Sequence, residues 1–186
     1  MNKVYEMLTD RHADIDATVL DLANYSLPFS DGRHFLDYEG DAKLVTTTIM
    51  EADAVIIGTP IYQASIPAPL KNVFDMLPVH ALEGKVVSMV VTAGSQRHYL
   101  IAEQQLKPIL AYMKAQIVPN YVFIEEIDFQ LKEIVNDDVL FRLERLLDDT
   151  ILLVKTYQQM QEARHAEFDF YKWKVYLMLF VAKTSL

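Results

Sequence analysis

The chain has 186 residues, no cysteine, 52% apolar residues and a formal net charge of −9, long enough for one domain with a substantial core. Without cysteine there is no disulfide, no thiolate metal site and no thiol nucleophile, and the composition favours a reducing compartment. An acidic chain of pI about 4.9 with no cluster of lysine and arginine argues against nucleic acid or an anionic membrane surface as a partner.

The five histidines, His12, His34, His80, His98 and His165, include no pair at i, i+4, so no metal site is expected. The first residues carry no signal-like apolar segment. The apolar run Val175 to Ala182 falls far short of the roughly 20 residues that span a bilayer. The expected location is the cytoplasm.

Taken in order, Val4 to Leu8 resembles the second half of an amphipathic helix, and Ala17 to Leu22 reads as a short strand. Asn24 to Asp41 is loop, with turn signals at Ser26-Leu-Pro28 and Asp31-Gly32. Lys43 to Met50 suits a helix despite three threonines. Asp53 opens a solid apolar run, Ala54 to Ile57, which reads as a strand buried on both faces and ended by Gly58. Pro60 holds Thr59 extended. Ser65 is a candidate helix cap and Pro67 a first-turn proline. Leu70, Val73, Phe74 and Leu77 then recur at i, i+3, i+4, i+7, one helical stripe directed at the sheet.

Lys85 to Thr92 is a second buried strand, broken at Ala93-Gly94-Ser95. A long helical stretch follows to about Ala115, with Leu106, Ile109, Leu110 and Met113 as its apolar stripe. Inside it, Pro108 has no N–H and clashes with the carbonyl of Gln104, which predicts a local irregularity over 104–108. Ile117 to Ile124 is a third strand, interrupted at Pro119. Asp137 and Asp138 open a helix running to about His165, with Leu140, Leu143, Leu147, Ile151 and Val154 on one face. Strands alternating with helices predict a parallel sheet covered on both sides. In such sheets ligands bind outside the carboxyl ends of the strands, which directs attention to the loop beginning at Gly58. The aromatic-rich tail, Tyr171 to Leu186, must dock or expose an apolar patch, and carries no assignable chemistry.

The stretch from Gly58 to Asn72 resembles the flavin loop of the NAD(P)H-dependent FMN reductases, a flavodoxin-like family. Asp75 to Val87, Thr92-Ala-Gly-Ser95, His98 and Leu106-Lys-Pro-Ile-Leu110 resemble the branch that supplies reduced FMN to alkanesulfonate monooxygenases. The resemblance covers residues 5 to 165 and is most specific over 53 to 124. It implies an α/β, flavodoxin-like open parallel sheet of strand order 2-1-3-4-5, with FMN and NADPH or NADH as cofactors. By the same likeness Thr59, Pro60, Ile61, Tyr62 and Ser65 contact the flavin ring, and Thr92, Ala93, Gly94 and Ser95 border its other edge. Hydride transfer is the chemistry of the flavin itself, so no catalytic residue is expected. His98 reads as a residue at the solvent edge of a helix.

The sequence departs from that family in three places. Residues 1 to 20 contain no match to its first strand and Gly-Ser-x-Arg phosphate loop, so the expected domain, residues 1–170, is N-terminally truncated, with 171–186 as a tail of unknown role. An absent first strand would leave its two neighbours about 10 Å apart, or would let strand two move in to pair with strand three. Gln104 stands where the sulfonate branch inserts an aromatic that forms a π-bulge at its tetramer interface, and Ala93 replaces a second glycine. The function expected is FMN reduction for a partner monooxygenase or another acceptor, by a homodimer or homotetramer. The alternatives are an FMN-bound azo or quinone reductase and a non-catalytic flavodoxin-like interaction module.

Overall fold

The computed structural model describes residues 1–166 and 176–181, with side chains through residue 163. Helix α1 (Asn2–Arg11) buries Val4 and Leu8 and leads into strand β1 (Asp16–Asp21). A loop then runs to helix α2 (Gly40–Glu51). The three threonines of α2 are accommodated because each hydroxyl donates to a carbonyl one turn back: Thr46 to Ala42 at 2.9 Å, Thr47 to Lys43 and Thr48 to Leu44 at 2.7 Å. Strand β2 (Ala54–Pro60) is buried over all but its last residue. Helix α3 (Ala68–Met76) buries Leu70, Val73 and Phe74, with Leu77 just beyond. Its outer face carries the Lys71–Asp75 ion pair. Pro67 is the residue flanking α3 and Pro69 occupies its first turn. Ser65 does not cap the helix. It closes a turn with Tyr62 instead, because the chain folds back on itself before α3 begins.

Strand β3 (Val86–Ala93) follows. The helical stretch after it is irregular: a 3₁₀ turn at Gln96–His98, a π-helical turn at Ala102–Leu106, then helix α4 (Lys107–Tyr112). In the wide turn the Lys107 amide donates to the carbonyl of Ala102, five residues back. This is the irregularity that Pro108 predicts. Leu106, Leu110 and Met113 are fully buried, with Ile109 packed beside them. The third strand is two pieces, β4 (Gln116–Ile117) and β5 (Val122–Glu125). Both pair with β3, Val87 opposite Ile117 and Val90 opposite Val122, so the partner loops outward around Pro119, which has no donor for the ladder. A short hairpin, β6 (Phe129–Gln130) with β7 (Glu133–Ile134), precedes helix α5 (Asp137–Ala166). The buried stripe of α5 starts at Val139 rather than Leu140, and continues through Leu143, Leu146, Leu147, Ile151 and Val154. The last described element is strand β8 (Tyr176–Val181).

The main sheet has the order β1-β8-β2-β3, with β4 and β5 beyond β3, and every pairing in it is parallel. Alternate residues feed two cores. Val55, Ile57, Val87, Met89 and Val91 pack with α2, α3 and α4, while Ala54, Ile56, Val86 and Val90 pack with α1 and α5. This is the doubly covered parallel sheet that the alternation of elements predicts.

The slot between β1 and β2, expected to be empty or closed up, is filled. Strand β8 runs parallel to both neighbours, with Val19 and Ile56 on either side of Leu179. The physical reason lies in the sequence: Tyr176 to Val181 is an unbroken run of β-formers and apolar residues, the pattern of a strand buried on both faces. The rest of the aromatic tail, 171–175 and 182–186, lies outside the described residues.

Two stability predictions follow from this packing. Leu179→Pro removes a ladder donor from a central strand and is expected to destabilise the fold by about 3 kcal/mol or more; a urea midpoint unchanged from the native chain would contradict the strand order. Ser88, fully buried in β3, has a hydroxyl with no hydrogen-bond partner among the described residues. Ser88→Ala should therefore raise stability by about 1 kcal/mol in the same titration.

Candidate functional site

The carboxyl ends of β2 and β3 lie side by side, because their register sets Thr59 opposite Val91 and Pro60 opposite Thr92. One further backbone bond, Ile61 N–H to the Thr92 carbonyl at 2.8 Å, extends the pairing beyond the strands and joins the two loops. Thr59 is buried and its hydroxyl donates to the Pro60 carbonyl. Ile61 is buried and belongs to the core under α3 and α4, so it anchors the loop. Tyr62 is 38% exposed. Thr92 and Ala93 are half-buried at the end of β3, and Gly94 is exposed beyond them. Ser95 is extended and flanks the 3₁₀ turn. All nine residues expected at a flavin ring therefore lie at the joined carboxyl ends of β2 and β3 and in the loops that follow them, with Thr59 and Ile61 buried.

The first loop turns tightly. Tyr62 and Ser65 exchange backbone bonds, each N–H donating to the other's carbonyl at 3.0 Å. The two residues between them, Gln63 and Ala64, have φ of 48° and 58°. That is the backbone of a type I′ turn, which favours Asn-Gly or Gly-Gly. A non-glycine residue in this region costs about 1–2 kcal/mol, so the turn needs outside support. It comes from the π-helical turn: Ser65 Oγ donates to Gln105 Oε1 at 2.7 Å, and Gln105 Nε2 donates to the Ala64 carbonyl at 3.2 Å. Sequence reasoning missed Gln63, Ala64 and Gln105. The one available signal was Pro108, which marks the irregular turn that carries Gln105.

Asn72, part of the same sequence stretch, has a structural task. Its side chain donates to the Pro28 carbonyl and accepts from the Ser30 amide, at 2.9 and 2.8 Å, and so fastens the loop before α2 onto α3. His98 is half-buried within the 3₁₀ turn.

Beside the second loop lies a cavity of about 560 Å³ bordered by Gln96, Tyr99, Glu125, Asp128 and Arg142. Its polar groups are largely paired with one another. Asp128 accepts from Asn136 and from the Glu125 amide, and Arg142 donates to Asp138 and to the Phe123 carbonyl. Nearby, the Tyr121 phenol donates to the Tyr99 carbonyl at 2.6 Å. Burial first, and then the neighbouring Tyr99 phenol, raise its pKa above the ordinary tyrosine value, so it remains a neutral donor. Among the described residues no group of His, Asp and Glu could hold a metal ion.

The loops carry features that a flavin ring would require. An exposed aromatic face stands on one side, and a glycine at the other allows close approach to the backbone. The amides of Gln63, Ala64, Ser95 and Gln96 find no acceptor among the described residues, which leaves donors for the polar edge of a ring.

A parallel sheet covered on both faces, with two such loops at the carboxyl ends of adjacent strands, is a flavodoxin-like architecture. The model of the NADPH-dependent FMN reductases matches residues 1–129, and the chain belongs to that family. It is 39% identical over 134 residues to an NAD(P)H-dependent FAD/FMN reductase of Geobacillus thermodenitrificans, covering 72% of each chain. It is 27% identical over 132 residues to the NADH-dependent FMN reductase SfnF of Pseudomonas fluorescens, covering 71% of each. Among solved structures, the apo form of the NADH:FMN oxidoreductase EMOB superposes with a TM-score of 0.57 at 28% identity, covering 74% of this chain and 88% of that one. FerB of Paracoccus denitrificans superposes with a TM-score of 0.65 at 18% identity, covering 84% and 90%, a likeness of fold.

Gly94 provides a clean test of the loop's task. Its φ lies outside the left-handed range, and an added Cβ would meet nothing nearer than Glu126 Oε2, at 3.8 Å. Gly94→Ala should leave stability within about 0.5 kcal/mol while weakening FMN binding about tenfold or more, since the methyl occupies the ring's approach. Equal FMN affinity in the two proteins would remove Gly94 from the site.

Proposed function

We propose that the chain reduces FMN with NADPH or NADH and passes the reduced flavin to a partner monooxygenase or another acceptor. The single observation that carries this reading is the Ile61–Thr92 backbone bond, which holds Thr59 to Ser65 and Thr92 to Ser95 together as one flavin-facing surface. FMN, when bound, supplies the hydride chemistry, accepting from the nicotinamide. The protein's own residues bind and orient. Pro60 and Tyr62 form a wall for the ring, Gly94 leaves room at the opposite edge, and the amides of Gln63, Ala64, Ser95 and Gln96 meet its polar atoms. Thr59 and Ile61 act from below by fixing the backbone. No acid or base is assigned, in keeping with a step that moves a hydride between two cofactors.

Likeness to the family supports a homodimer or homotetramer. The acidic, cysteine-free composition supports a cytoplasmic location, and among the described residues no helix is long and apolar enough to cross a membrane. A second reading, an azo or quinone reductase with tightly held FMN, draws support from a relative described as an NADPH azoreductase, from Bacillus sp., 25% identical over 145 residues.

Titration of the purified chain with FMN, followed by flavin fluorescence, tests binding; NADPH oxidation at increasing FMN then tests turnover. Saturation with an exchanging FMN is the expected result. Tight FMN with ping-pong transfer to a quinone would favour the second reading. The absence of both binding and turnover would point to a non-catalytic module.

A further inference from the structure

The turn at 62–65 is built from the wrong residues for its shape. Two consecutive left-handed positions are held by Gln63 and Ala64, where glycine or asparagine would stand without strain. Within the loop, two reciprocal Tyr62–Ser65 backbone bonds join the ends of the turn. Outside it, the amide of Gln105 grips the turn at two points, accepting from Ser65 Oγ and donating to the Ala64 carbonyl. Gln105 is half-buried and lies in the wide turn Ala102–Leu106, whose Ala102 and Leu106 are locked in the core. The grip therefore starts from a fixed base. Lys107, at the end of that turn, adds a second fastening by donating to the Pro119 carbonyl at 2.8 Å.

We propose that Gln105 is a positioning residue for flavin binding: it clamps the strained Gln63–Ala64 turn in the shape that presents Tyr62 and the turn amides to the ring. The inference rests on reading 59–65 as a flavin loop. The helical stretch that carries Gln105 begins directly after the second loop, at Gln96. The clamp thus ties the two flavin loops to one body, and the wide turn that Pro108 enforces becomes part of the binding site's support.

The test uses Gln105→Leu and Gln105→Glu, each in the native chain and in a Gln63→Gly/Ala64→Gly background, with two readouts. The first is amide hydrogen exchange at Tyr62 and Ser65 without flavin, which reports the turn itself. The second is the FMN dissociation constant from fluorescence quenching. In the native background Gln105→Leu should speed exchange at both amides and raise the dissociation constant, each about five- to tenfold, with the thermal midpoint of the rest of the fold little changed. Gln105→Glu keeps the acceptor for Ser65 and loses the donor to Ala64, and should fall between. In the glycine background, where the left-handed turn carries no strain, the Gln105→Leu effect should shrink to about twofold or less. Unchanged exchange in Gln105→Leu, or an equal penalty in both backgrounds, would overturn the clamp. Should the native chain fail to bind FMN, the flavin reading falls, while the exchange comparison still decides whether Gln105 holds the turn.

Discussion

Strand β2 is sealed off from water on both faces and both edges, and the rest of the structure follows from that condition. Six of its seven residues are buried, and each edge has a parallel partner, β8 on one side and β3 on the other. A backbone polar group in such a place must be paired, since leaving it unpaired costs about 1–3 kcal/mol. The neighbours of β2 are thus a requirement rather than an embellishment. Its apolar side chains add to the constraint by committing alternate residues to two separate cores, which forbids a slip of register by one residue.

The site inherits its accuracy from this strand. Register with β3 fixes Pro60 opposite Thr92, and the chain keeps that registration one residue further before it turns away. The loops are short, and their supports, Ile61 below and Gln105 beside, belong to the packed body of the domain. A flavin asks for a flat wall, room for close approach and a few donors, and in the proposed site these would come from loop backbone and one tyrosine rather than from a constellation of titratable groups. The resolved pKa shifts, at Asp31, Arg33, Lys85 and Tyr121, fall on none of the nine residues expected at the ring.

Much of this was readable in the chain. The apolar run at 54–57 and the i, i+3, i+4, i+7 stripe of α3 are strong local patterns that tertiary packing reinforces, and Pro108 announces the irregular turn because its missing N–H leaves no alternative. The role of Tyr176 to Val181 escaped for a physical reason. An apolar run states that it is buried, not where, and its place between β1 and β2 is settled by pairing with strands far away in sequence. Ser65 deceived in another way, since serine serves equally well as a helix cap or in a turn, and the two left-handed residues before it decided the matter. Gln105 was silent because the direction of a side chain on a helix depends on the local pitch, which the π-helical turn alters.

The placement of β8 also has a consequence in time. The chain emerges from the ribosome at about 5–20 residues per second, so β8 arrives on the order of ten seconds after β2. During that interval β1 and β2, the strands that β8 will join, each present an unpaired edge. Until β8 arrives, those β-forming edges lack their final partner, and unpaired edges of this kind are templates for pairing with other chains.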